Sequence, residues 1–152
     1  MVKINFDASV FGKKTYYELV ARDADGFILG GRMGFVEREM QIEWAKMLAI
    51  EKRIKVARSN NWNYLELKSD CASLVNCFNN KDYDLTTLGH HMREIYRRFN
   101  FFNFFKLCWA PRCCNSVADN LCKWAKTNNC IKNFRMDYLV EIHNFVLNDA
   151  IN

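Results

Sequence analysis

Three aspartates fall where acids from distant segments can gather at one end of a sheet. Asp7 lies within a run that reads as the first strand, Asp70 just after the fourth strand, and Asp119 in the last helix of the main body. Acids converging in this way are the donors a hard divalent cation takes, and metal-assisted hydrolysis is the chemistry they would support. Spacing alone also fits a plainer reading, in which Asp70 and Asp119 cap or decorate helices. The cysteines offer no competing metal centre. There are seven, with no Cys-x-x-Cys pair and no zinc-ligand spacing to the three histidines. Cys77, Cys108 and Cys122 sit in apolar patterns, and the set fits reduced thiols in an intracellular compartment, cytoplasmic or nuclear.

The elements that must position these acids can be read from periodicity. Residues 2–11 and 16–22 read as strands, and Asp23-Ala24-Asp25-Gly26 is a turn leading into a third strand that ends near Val36. Short turns between the three imply an antiparallel meander. From 41 to 59 the apolar residues take helical spacing, with Asn60-Asn61 as the stop. A short strand at 64–68 is followed by helices at 72–78 and 85–99, joined by a polar loop. Residues 100–109 form a β-prone aromatic run, read as a central strand whose side chains fill the core, with base stacking as the alternative use of its rings. Pro111 ends it and a helix follows over 115–126. The expected architecture is α/β, with a mixed five-stranded sheet flanked by helices. Residues 1–128 form the domain, and 129–152 a C-terminal extension, part-helical and packed on it.

Bulk properties agree. The chain has 152 residues, enough for one domain, and is 50% hydrophobic, which excludes general disorder. No apolar run reaches the ~18 residues of a membrane span, and the opening residues read as a strand rather than a signal peptide. The net charge of +5 permits an anionic partner without requiring one.

Four strings carry a family resemblance. Ile4-Asn5-Phe6-Asp7-Ala8-Ser9 resembles the first-strand motif of ribonuclease H, and Arg22-Asp23-Ala24-Asp25-Gly26 its second hairpin. Leu65-Glu66-Leu67-Lys68-Ser69-Asp70 looks like its fourth strand, and Pro111-Arg112 with Asn115-Ser116-Val117-Ala118-Asp119-Asn120-Leu121 like its closing motif. The combination, covering about residues 2–126, is similar to the ribonuclease H-like domain of plants and retroelement reverse transcriptases. The resemblance implies a ribonuclease H-like fold and metal-assisted cleavage of RNA in an RNA–DNA hybrid. It implies Mg²⁺ (or Mn²⁺) as cofactor, with Asp7, Asp70 and Asp119 as metal-holding catalytic residues. Ser9, Arg112 and Asn115 would contact substrate.

The pattern is broken at one decisive place. The family's fourth carboxylate is a glutamate on the first helix, and the flanking alanines and the distance to Asp70 put Lys46 there. The small residue expected seven positions on is Arg53, and the acid expected before Ser69-Asp70 is Lys68. Four ionised carboxylates would carry about four negative charges, whereas three with one ammonium carry about two net. Lys46 would be placed to pair with Asp7 and Asp70 in a metal's stead. Glu43, about one turn earlier, is the residue that could restore an acid if the register shifts. The leading expectation is a ribonuclease H-like module that binds RNA or hybrid through a degenerate site. The alternatives are an active hybrid ribonuclease and a protein-interaction scaffold, as a homodimer or with another protein. No membrane partner is expected.

Overall fold

The structure, a computed structural model, describes residues 1–115, 120, 123, 127 and 131–134. Strands β1 (Val2–Phe11), β2 (Lys14–Arg22) and β3 (Ile28–Val36) form the expected meander. Its second turn is built by the Arg22–Gly26 string. Asp23 Oδ1 accepts from the Asp25 and Phe27 N–H groups at 2.9 Å each, Arg22 donates to the Gly26 carbonyl at 3.0 Å, and Gly26 takes a φ of +91°. Only glycine adopts that angle without steric cost.

Helix α1 (Ile42–Ser59) packs on β1 and β2. β4 (Tyr64–Ser69) runs parallel to β1 on the side away from β2, and β5 (Phe104–Trp109) runs parallel to β4. Between them lie α2 (Ala72–Asn79) and α3 (Thr87–Arg98). The strand order is β5-β4-β1-β2-β3-β6, where β6 (Lys132–Phe134) pairs antiparallel with β3. The mixed five-stranded sheet is therefore present, with a short sixth strand added from the C-terminal extension. The helical part expected of that extension lies outside the described residues, as does most of the 115–126 helix; Asn120, Lys123 and Thr127 are helical.

Alternation along β1 turns Ile4, Phe6 and Ala8 into the core with α1, and leaves Asn5, Asp7 and Ser9 for the other face. Every residue of β2 from Thr15 to Arg22 is buried, as befits a strand inside the sheet.

The aromatic run departs from expectation in two ways. The strand begins at Phe104, because Phe99–Phe101 continue α3 as a 3-10 turn, with the Phe102 N–H donating to the Phe99 carbonyl at 3.1 Å. Phe99 then stacks on Phe105 with ring centroids 3.7 Å apart, which folds the end of α3 back onto β5. The strand is also an edge, not central. Phe99, Phe102 and Phe105 fill or abut the core, while Phe101 and Phe104 are exposed.

Candidate functional site

β1 and β4 are paired in parallel as far as Asn5 opposite Lys68, and two residues beyond each partner stand Asp7 and Asp70. The first and second sequence-predicted acids are thus brought to neighbouring places at one end of adjacent strands. Both are half-buried. Asp7 Oδ1 accepts from the Ala8 N–H at 2.9 Å. The capping role that spacing suggested for Asp70 is not taken up. The N-cap of α2 is Cys71, whose N–H donates to Ser69 Oγ at 3.2 Å, and the Asp70 carbonyl accepts from the Trp109 indole at 3.2 Å. Asp119 lies outside the described residues.

Lys46 is half-buried on α1 between buried Ala45 and Met47, and it has no ion pair among the described residues. The pairing with Asp7 and Asp70 that its position suggested is not formed. Glu43 is exposed in the first turn of α1. Ser9 is half-buried on β1, and Arg112 is exposed in the 3-10 turn Arg112–Asn115. That turn is tied to the site strand by the Asn5 amide, which donates to the Cys114 carbonyl at 3.0 Å. The Asn115 side chain lies outside the described residues.

Two groups near Asp7 were not anticipated as a set. Glu18 stands directly opposite Asp7 in the β1–β2 register and is only 1% exposed. Arg53, on α1, is fully buried with its guanidinium over the Phe6 ring, Cζ lying 2.8 Å from the centroid. Its Nε donates to the Ala49 carbonyl at 3.1 Å, while its two terminal nitrogens have no hydrogen-bond partner among the described residues. Burial pushes the Arg53 pKa well below the ordinary arginine range, and the negative charges of Glu18 and Asp7 oppose that fall. The signal for Glu18 was legible, an acid inside the apolar strand segment Tyr16-Tyr17-Glu18-Leu19-Val20, but its pairing with Asp7 depends on register.

A divalent centre needs several oxygen donors around one point. Among the described residues no group of three or more His, Cys, Asp or Glu is placed to hold a metal ion. The described part of the acid set is Asp7 and Asp70, side by side at one sheet end, and Asp119 lies outside the described residues. Cys71, Cys77, Cys108, Cys113 and Cys114 are free thiols, and no helix among the described residues is long and apolar enough to cross a membrane.

Comparison with solved structures gives the fold independent support. The ribonuclease H1 of the halophilic archaeon Halobacterium salinarum is 18% identical with a TM-score of 0.75, over 84% of this chain and 98% of that one. A ribonuclease H1 isolated from compost, solved in complex with an RNA/DNA hybrid, is 16% identical with a TM-score of 0.74, over 85% and 99%. A foamy viral protease-reverse transcriptase in complex with RNA/DNA hybrid is 13% identical with a TM-score of 0.64, over 84% of this chain and 20% of that one. A search of curated proteins found no match. Residues 5–125 match the family described as reverse transcriptase-like, and with the fold just given this chain belongs to that family, within the ribonuclease H-like superfamily.

Proposed function

We propose that this chain is a ribonuclease H-like module that binds RNA or an RNA–DNA hybrid, with a degenerate metal site and little or no nuclease activity. The observation that carries the proposal is the residue on α1: a lysine where the family pattern has a glutamate, half-buried and without an ion pair among the described residues. A protonated ammonium has three donors and no lone pair to offer a cation, and its charge repels one. Losing a partner that merely orients a ligand lowers metal affinity or activity ~10–100-fold, and reversing a ligand's charge should lower it further.

Binding is supported by the fold shared with two proteins solved on RNA/DNA hybrid and by the net charge of +5. Recognition would use helix shape, phosphates and 2′-hydroxyls rather than base sequence, with exposed Arg112 and with Ser9 and Asn115 as contacts near the acids. Glu43, exposed beside the positive end of α1, occupies the ordinary place of a solvated acid and does not replace the missing ligand.

The test is a labelled RNA–DNA hybrid offered with Mg²⁺ or Mn²⁺. The expected result is binding that weakens with salt while the RNA stays intact. Robust turnover, abolished by Asp70→Asn, would reject the proposal.

A further inference from the structure

Helix α1 carries Lys52, Lys55, Val56 and Ser59 at i, i+3, i+4 and i+7, the spacing of one helix face. That face looks onto β3, where Arg32 completes a depression of about 270 Å³ lined by these five residues. Three of the five are cationic. The nearest acid in sequence, Glu51, is engaged by His91 of α3, Nε2 to Oε1 at 2.6 Å.

Two of the three cations, Arg32 and Lys52, lie against a buried tyrosine. Tyr17 on β2 stands opposite Gly34 on β3, and a Cβ at Gly34 would come within 2.9 Å of the Tyr17 hydroxyl. The missing side chain therefore gives the ring its place. Arg32 Nε donates to Tyr17 Oη at 3.3 Å, and Lys52 Nζ lies 5.3 Å from the ring centroid. Arg32 spends one N–H on this bond, and its terminal nitrogens have no hydrogen-bond partner among the described residues. A guanidinium oriented by one donor, with its remaining fork free beside two ammonium groups, matches a tetrahedral oxyanion.

We propose that this depression receives a backbone phosphate of bound nucleic acid, at a place separate from the carboxylates. Lys55 is nine residues along α1 from Lys46, ~14 Å at helical rise, so the two are distinct points on one helix. The inference rests on the nucleic-acid-binding reading above and adds the surface that holds the backbone.

The experiment compares the wild type with Lys52→Gln/Lys55→Gln, which keeps most of each stem and removes both charges. Binding to a labelled RNA–DNA hybrid and to the same RNA as a single strand is measured by anisotropy across a salt series. A control, Arg97→Gln/Lys106→Gln, removes two exposed charges elsewhere. The expected result is an affinity loss of about tenfold or more at low salt and a salt slope shallower by about one, with a smaller change in the control. Equal losses in both variants, or none in the first, would overturn the site while leaving nucleic-acid binding intact. Inorganic phosphate at millimolar concentration that occupies the depression without displacing the hybrid would overturn it in favour of a free-anion site. Absence of wild-type binding to either probe would overturn the parent reading as well.

Discussion

Arg53 is the residue whose energetics are most exposed to test. A guanidinium with no water around it is expensive, and here the negative charges of Glu18 and Asp7 offset that cost only in part, so burial still holds the pKa down. Arg53→Met keeps the apolar stem and removes a charge whose terminal nitrogens have no hydrogen-bond partner among the described residues. The variant should therefore be as stable as the wild type or more stable in denaturant unfolding. A loss of about 3–5 kcal/mol would show instead that the fold depends on the cation. The site's individual letters were legible in the chain: Asp7, Asp70, Lys46 and Arg53 all stand in recognisable strings. What spacing could not supply was partnership. His91 of α3 pairs with Glu51 of α1 and stacks on Trp44 at 5.1 Å between ring centroids. Glu18 meets Asp7 only once two strands are in register. Contacts set by tertiary packing leave no local periodicity to read.

The start of α3 is an element-scale device. Thr86 caps it by accepting from the Gly89 N–H at 3.2 Å, and Asp84 braces the cap through both the N–H and the hydroxyl of Thr86. A Cβ at Gly89 would run into the Asp84 carbonyl and carboxylate, so Gly89→Ala should cost about 1–3 kcal/mol by overpacking, measured as a fall in the unfolding midpoint. The hydrogen bonds from Thr86, the side-chain bond first, hold the Asp84 carboxyl below its usual value. A carboxyl depressed in the folded state contributes stability that is complete above its unfolded pKa, about 3.9, and is lost as pH falls through the folded value. Asp84→Asn should therefore flatten the acid limb of the stability–pH curve and leave the rest of its shape unchanged; an unaltered acid limb would refute this. Most elements were legible because their periods are local: α1 was expected over 41–59 and runs Ile42–Ser59. The exception is instructive. Residues 100–103 have strong β-propensity, but Phe99 stacks on Phe105 six residues on, and that contact goes with a bend in the chain before the strand starts.

At the scale of the molecule, a parallel β1–β4 pair brings Asp7 and Asp70 to one sheet end, and α1 lays Lys46 along the same body. The order β5-β4-β1-β2-β3 follows from a meander succeeded by crossovers, which is why the fold was readable from the sequence alone. The short β6 was not, since Lys132–Phe134 has no strand-like pattern of its own and gains its form from the edge of β3. Charge decides the proposed reading, in which Lys46 stands where the family pattern has a metal-holding acid. Mg²⁺ titration followed at the side-chain carboxylates by NMR tests this most directly, comparing the wild type with Lys46→Glu. The wild type should show no saturable response at the millimolar concentrations that saturate the variant. Saturation of two bound ions in the wild type, equal to that of Lys46→Glu, would contradict it.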